Sequence, residues 1–107
     1  MLSFVEENYL KAIYHLSVGG ESPVSTNALA EEMKTTPASV SDMIKRLSQK
    51  EVIDYKKYQG ANISDDGKKI ALQVIRKHRL WEVFLVDKLH FHWDQVHDVA
   101  EQLEHIK

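Results

Sequence analysis

The stretch TTPASVSDMIKRLSQK, residues 35–50, has the pattern of an amphipathic helix with a defined start. Thr36 is a suitable N-cap, and Pro37 follows at the first helical position, where the missing N–H of proline costs nothing. Apolar residues recur at helical spacing and predict an inner face: Val40, Met43, Ile44 and Leu47. The opposite face is left with small hydroxyl-bearing and basic side chains, so this helix has one face for a core and another for a polar partner.

The segments on either side predict a mainly α-helical winged helix-turn-helix. Residues 4–16 and 26–33 have helical periodicity, with Ser25 or Thr26 as the cap of the second helix. After residue 50, the segment VIDYKKYQGANIS, residues 52–64, predicts a β-hairpin with its turn near Gly60. Helix, short helix, turn, helix and hairpin are the three-helix core and β-wing of this fold.

The remaining sequence predicts a helical second domain. Ser64, followed by Asp65 and Asp66, favours the start of a long helix that runs to about Leu89. Asp94 is predicted to cap a last helix. The long helix is too apolar to stand free, so it requires the last helix and a second subunit as partners. We therefore predict a winged helix-turn-helix domain at residues 1–71 and a helical dimerisation domain at residues 72–107.

Composition narrows the class of protein. The 107 residues include no cysteine, which excludes disulfides, thiolate metal sites and a cysteine nucleophile and fits a cytoplasmic protein. No apolar run is long enough to span a membrane, and no signal-peptide pattern is present. The sequence also lacks an HExxH motif, a nucleophile motif and a phosphate-binding glycine loop. These observations argue against an enzyme, although a metalloenzyme remains the alternative from another class.

Charge is strongly segregated along the chain. Residues 1–33 carry a net charge of −4, residues 34–79 carry +6, and residues 80–107 carry −4. A basic middle between acidic ends predicts one site for phosphate and another for cations.

The basic middle predicts contact with double-stranded DNA. The start of the helix at residues 37–50 should approach base edges in the major groove, whereas lysine and arginine should mostly meet phosphates. The candidate DNA contacts are Thr36, Ala38, Ser39, Ser41, Asp42, Lys45, Arg46, Lys50, Lys56 and Lys57. Because one such module binds weakly, we expect a homodimer on a near-palindromic operator. The alternative is an ordinary solvated basic face.

The segment HDVAEQLEH, residues 97–105, predicts one of two metal-ligating clusters. At about 100° per residue, the side chains of Glu101, Glu104 and His105 share a narrow stripe. His78 and Glu82 are spaced i and i+4 on the long helix, and His97 can complete their cluster. Carboxylate and imidazole ligands without thiolate favour Mn²⁺ or Fe²⁺. A solvated acidic face, and a core histidine at position 78, are the alternatives.

Taken together, these segments resemble the diphtheria-toxin-repressor family of metal-dependent transcriptional repressors, the iron- and manganese-responsive regulators of bacteria. The segments that carry the resemblance are ENYLKAIYHL (7–16), TPASVSDMIKRL (36–47), ISDDGKKIA (63–71), RKHRLWEVFL (76–85) and VHDVAEQLEH (96–105). The resemblance implies a primary metal site at Asn8, Glu101, Glu104 and His105, and a second site at His78, Glu82 and His97. Position 101 is glutamate, whereas the iron-responsive branch has cysteine there. This difference favours manganese as the expected metal.

The sequence departs from the family pattern in the first helix and at the end of the sequence. Asn8 stands where manganese-responsive members commonly have aspartate, and Lys11 stands where some have a glutamate ligand. The uncharged amide of Asn8 bears on the affinity or the choice of metal, and Lys11 argues against a binuclear site of that type. Family members continue beyond the ligand helix, so we expect a fragment or an unusually short member.

The resemblance therefore implies a homodimeric, Mn²⁺-activated repressor of metal-uptake genes, with Fe²⁺ as the alternative ion. The metal is expected to connect the first helix to the later ones and so to set the spacing of the two DNA-binding units. A metal-independent winged-helix regulator is the main alternative.

Overall fold

The computed structural model describes residues 2–56 and 59–106, with Trp93 by its backbone alone. The chain divides into two compact units, Met1–Ala71 and Leu72–Lys107. The elements follow in the order α1 (Phe4–Leu16), α2 (Thr26–Met33), α3 (Pro37–Gln49), β1 (Ile53–Lys56), β2 (Gly60–Ile63), α4 (Asp65–Leu89) and α5 (Trp93–Leu103). The mainly helical fold with one hairpin is thus confirmed.

Side-chain caps set the starts of the first three helices. The hydroxyl of Ser3 accepts the Glu6 N–H at 3.2 Å, and the Glu6 carboxylate accepts the Ser3 N–H at 2.8 Å, which completes a capping box. Ser25 caps α2 by accepting the Ala28 N–H at 3.0 Å. Thr36 caps α3 with Pro37 at its first position, as the sequence predicts.

The core of the first unit lies where α1, α2 and α3 meet the hairpin. All four residues predicted for the inner face of α3 are buried, and Val40 and Leu47 are completely inaccessible. They share one apolar cluster with Leu10, Ile13 and Leu29. This core holds α3 with its opposite face in solvent.

The wing is an antiparallel pair of short strands. Ile53 pairs with Ile63 and Lys56 with Gly60, and the Gln59 N–H donates to the Lys56 carbonyl oxygen at 2.9 Å. Lys57, a predicted DNA contact, lies outside the described residues. An isolated bridge between Val24 and Ala61 joins the hairpin to the segment before α2. The wing is therefore anchored on both sides, which a two-stranded hairpin requires for stability.

The start of α4 is fixed against the wing. The Ser64 hydroxyl accepts the Gly67 N–H at 3.0 Å and donates to the Glu51 carbonyl oxygen at 2.9 Å. The predicted span of this helix, residues 65–89, is confirmed.

The second unit has its own small core. Leu85 of α4 and Val96 and Ala100 of α5 are buried there, with Trp81 and Phe91 packed against them. The prediction that Asp94 caps α5 is wrong, because the helix already begins at Trp93. His92 is the N-cap, in extended conformation at φ −77° and ψ 151°, and its N–H is accepted by the Gln95 side chain at 3.4 Å. Asp94 lies within the first turn of α5, where its negative charge interacts favourably with the helix dipole.

Across residues 2–56 and 59–106, none of the helices combines the length and the apolar character needed to cross a membrane.

Candidate metal and DNA sites

Glu104 is the most deeply placed group of the predicted metal site. It follows α5 directly as its C-cap, and its side chain is fully buried. Its Oε2 atom lies 2.6 Å from Nδ1 of His78, and its Oε1 atom lies 3.3 Å from Nε2 of His105. A buried carboxylate needs compensating partners, and this one has an imidazole at each oxygen.

His78 also belongs to the second predicted cluster. Its Nε2 atom lies 3.3 Å from Oε2 of Glu82, and that oxygen lies 3.8 Å from Nδ1 of His97. The rings of His78 and His97 meet edge to face with centroids 4.7 Å apart. These three residues each offer one ligand atom, and the three atoms lie within 4.8 Å of one another.

Glu101 extends the same network toward solvent. Its Oε2 atom lies 3.8 Å from Nε2 of His97, one helical turn away on α5. The six proposed ligands of the second unit are thus connected by contacts of 2.6 to 3.8 Å, from buried Glu104 to His97, whose side chain is 64% exposed. The two clusters inferred from the sequence meet at His78, which contacts Glu104 through one ring nitrogen and Glu82 through the other.

The residues of this network fit a divalent cation. Carboxylate oxygens and neutral imidazole nitrogens are donors that Mn²⁺ and Fe²⁺ accept, and the chain contains no thiolate. The geometry therefore supports a metal centre more than a solvated acidic face.

Asn8, the remaining proposed ligand, belongs to the first unit. It lies within α1 and is half-buried. Its assignment as a ligand rests on the resemblance.

The proposed DNA-contacting face of α3 is open to solvent. Every proposed contact in the described part of the chain is exposed: Thr36, Ala38, Ser39, Ser41, Asp42, Lys45, Arg46, Lys50 and Lys56. The Thr36 hydroxyl donates to the Ser39 hydroxyl at 3.0 Å beside the start of α3. This end of α3 thus presents small polar groups, and basic side chains follow one turn later.

Lys50 has a partner within the protein. Its Nζ atom lies 2.8 Å from Oε1 of Glu6, a nearly buried carboxylate that also accepts the Ser3 N–H. Hydrogen bonds from Lys50 and from the Ser3 backbone lower the pKa of Glu6 from 4.5 to about 2. Sequence reasoning did not single out Glu6, although the S-x-x-E spacing of a capping box at Ser3 was available as a signal.

The first unit is thus a winged helix-turn-helix, and the second unit contains clustered carboxylate and imidazole groups. Residues 1–61 match the N-terminal DNA-binding domain of the iron-dependent repressor, and residues 64–107 match its metal-binding and dimerisation domain. The chain belongs to the iron-dependent repressor family, whose members are transcriptional regulators rather than enzymes.

The individual proteins to which this chain is similar are consistent with this family assignment. The chain is 34% identical over 100 residues to the diphtheria toxin repressor of Corynebacterium jeikeium, covering 94% of this chain and 41% of that protein. It is 31% identical over 99 residues to the transcriptional regulator MntR of Oceanobacillus iheyensis, covering 92% and 66% respectively. The solved structure of the manganese regulator SloR aligns with a TM-score of 0.77 and 37% identity, over 95% of this chain and 47% of that one. The chain therefore spans less than half of two of these relatives.

Proposed function

We propose that the protein is a metal-activated, homodimeric transcriptional repressor of metal-uptake genes that acts in the cytoplasm. Mn²⁺ is the favoured activating ion, because Glu101 stands where the iron-responsive branch has cysteine, and Fe²⁺ is the alternative. The observation that carries the proposal is the fully buried Glu104 carboxylate held between His78 and His105. Because burying a carboxylate costs free energy, a fully buried one fits a cation site better than a purely structural role.

The proposed ligands divide by the chemistry of their side chains. Glu82, Glu101 and Glu104 would supply negative charge to the cation, and His78, His97 and His105 would supply neutral nitrogen donors. Asn8, proposed as a ligand on the resemblance alone, would supply an amide oxygen without charge, which bears on the affinity and on the choice of metal. The bound cation would supply positive charge that stabilises one arrangement of these ligands.

The proposed DNA contacts also divide into two groups. Small side chains at the start of α3, including Ala38, Ser39 and Ser41, suit limited base readout. Lys45, Arg46 and Lys56 suit phosphate contacts, which fix the register of the protein on DNA. Lys50 is the weakest candidate of its group, because its ammonium already pairs with Glu6.

An exposed apolar face on α4 supports the proposed dimer. Leu80 is 69% exposed, and Val83 and Phe84, about one helical turn away, are also exposed. Leu80, Trp81 and Phe84 line a cavity of about 310 Å³ with Lys77. A second copy of the same face would remove this apolar surface from water.

The direct test is a fluorescence-anisotropy titration of DNA with the protein at fixed salt. Duplexes selected from a random pool in the presence of Mn²⁺ serve as operator probes. We expect binding with Mn²⁺ to be at least fivefold tighter than in chelator, since allosteric coupling is typically about 1–3 kcal/mol. His97→Ala should lose most of this difference, whereas His15→Ala, at an exposed position on α1, should keep it.

Three outcomes of this titration lead to different conclusions. Equal affinity with Mn²⁺ and in chelator would favour a metal-independent winged-helix regulator. Failure to select any duplex would contradict DNA binding altogether. A larger effect of Fe²⁺ under anaerobic conditions than of Mn²⁺ would contradict the metal assignment alone.

A further inference from the structure

The turn that follows α5 carries two of the proposed metal ligands, Glu104 and His105. The helix ends at Leu103, whose carbonyl oxygen accepts the Ile106 N–H at 3.1 Å and so closes the turn. Ile106 is 54% exposed, so apolar packing holds this side of the turn only weakly. Segments with few buried contacts open at little free-energy cost. The position of His105 therefore depends on what else holds Ile106.

Lys77 of α4 supplies a contact at this point. Its Nζ atom donates to the Ile106 carbonyl oxygen at 3.1 Å, across 29 residues of sequence. A charged donor makes a stronger hydrogen bond than a neutral one. The next residue of α4, His78, contacts Oε2 of Glu104 through Nδ1 at 2.6 Å. Two adjacent residues of α4 thus hold the turn on both sides of His105.

We propose that Lys77 is a positioning residue of the metal centre. Its ammonium group has no lone pair and cannot bind a cation itself. It acts through the backbone of the turn, which it holds so that Glu104 and His105 keep one arrangement. This inference rests on the proposed metal site and adds to it a residue outside the ligand set.

The positive charge of Lys77 gives this role a distinctive sign. An ammonium group near a cation site repels the cation, so removal of the charge alone would tighten cation binding. Removal of the hydrogen bond to Ile106 loosens the turn and weakens cation binding instead. The direction of the change in affinity therefore separates positioning from simple electrostatics.

The experiment is a calorimetric titration of the full chain with Mn²⁺ alone at fixed pH and salt. Lys77→Met keeps an unbranched side chain of similar size but removes the hydrogen bond and the charge. It should bind Mn²⁺ about threefold to tenfold more weakly than the parent, the range that corresponds to one hydrogen bond. Lys77→Arg keeps a charged donor and should bind within about twofold of the parent.

Lys88→Met is the matched control, because it removes an exposed lysine from the same helix and should bind Mn²⁺ as the parent does. Lys77 also lines the apolar cavity beside Leu80, so sedimentation is used to compare all variants in the same assembly state.

Hydrogen exchange of the metal-free chain provides a readout that a general loss of stability would not produce. In Lys77→Met the amide proton of Ile106 should exchange faster than in the parent, whereas those of buried Val96 and Ala100 should be unchanged. Lys77→Arg should restore the slower exchange at Ile106.

The outcomes separate this inference from the proposed function. If the parent binds Mn²⁺ but Lys77→Met binds it equally or more tightly, the positioning role is overturned and the metal site stands. Exchange at Ile106 that is equal in Lys77→Met and the parent would also overturn the positioning role. If the parent binds no Mn²⁺, both proposals fall.

Discussion

At the scale of single residues, Glu6 shows how one acid can be held charged at the surface of a core. Its carboxylate accepts hydrogen bonds from the Ser3 N–H and from Lys50, each at 2.8 Å. Both donors favour the charged form and keep the pKa of Glu6 near 2. The stabilisation therefore depends on pH.

Replacing Glu6 with glutamine should destabilise the fold by about 1–2 kcal/mol at pH 7. The expected loss of unfolding free energy is small because the Lys50 side chain is 40% exposed and solvent screens the ion pair. Since the folded pKa of Glu6, about 2, lies below the usual 4.5, its contribution is complete above pH 4.5 and disappears as the pH falls toward 2. Urea unfolding at pH 7 and at pH 3 measures this difference.

Glu31→Gln is the control for this prediction, because Glu31 is an exposed acid of the same unit. Its unfolding free energy should match that of the parent at both pH values. A Glu6→Gln penalty that is as large at pH 3 as at pH 7 would contradict the ionic origin of the stabilisation.

Glu104 is the residue whose substitution should separate metal binding from folding. Glutamine preserves its volume but removes the charge that the proposed cation requires. At a Mn²⁺ concentration of about one hundred times the dissociation constant, the parent should gain about 2.7 kcal/mol of stability. Glu104→Gln should gain less than about 1 kcal/mol under the same conditions.

Thermal unfolding with and without Mn²⁺ gives this comparison, and Glu32→Gln on α2 serves as an exposed acid control. An equal stabilisation of Glu104→Gln and the parent would remove Glu104 from the ligand set.

At the scale of elements, the junction between β2 and α4 is unusually close. Gly67 is buried in the first turn of α4, directly against the Val52 carbonyl and the side chain of Ile63. A methyl group at this position would overlap the Val52 oxygen and lie 2.8 Å from Cγ1 of Ile63. The backbone of Val52 cannot move freely, because its carbonyl also accepts the Ser64 N–H at 3.0 Å.

Gly67→Ala should therefore destabilise the first unit by about 2–3 kcal/mol. Alanine normally stabilises a helix by about 1 kcal/mol relative to glycine, so the expected sign is opposite to that of helix propensity. Urea unfolding measures the effect, and Lys69→Ala at an exposed position of α4 should change stability by less than about 0.5 kcal/mol. A more stable Gly67→Ala variant would show that the junction can open without cost.

At the scale of the whole molecule, the apolar face of α4 governs the proposed assembly. A glutamate at position 80 or 84 would place a charge within the face that a second copy is proposed to cover, and a buried unpaired charge is costly. Leu80→Glu and Phe84→Glu should therefore be monomeric where the parent is dimeric, and both should bind selected duplexes more weakly. Sedimentation equilibrium over micromolar concentrations measures the assembly state.

Gln102→Glu adds the same charge at an exposed position of α5 and should leave the assembly unchanged. A parent chain that stays monomeric at every concentration would contradict the proposed dimer. Dimeric Leu80→Glu and Phe84→Glu variants would place the interface elsewhere.

The sequence was most informative where a local pattern acts alone. The Thr36 cap, Pro37 and the spacing of Val40, Met43, Ile44 and Leu47 predicted α3, because caps and amphipathic periodicity need no tertiary information. The same reasoning failed at Asp94, since His92 already adopts the extended N-cap conformation. Ligand spacing indicated the candidates, but it could not predict that His78 would contact Glu104 26 residues away. Ligand spacing also could not predict that Glu104 is buried. Glu104 lies at the edge of the polar stripe predicted for residues 97–105, next to buried Ala100.

The contact between Glu6 and Lys50 also affects local unfolding of the native state. The first turn of an N-terminal helix ordinarily frays, so its amide protons exchange with solvent at almost no free-energy cost. In this chain the first turn of α1 is joined across 44 residues of sequence to Lys50, the C-cap of α3. Opening it requires release of a distant lysine, and deuterium uptake at the start of α1 should therefore be slow for the first turn of a helix.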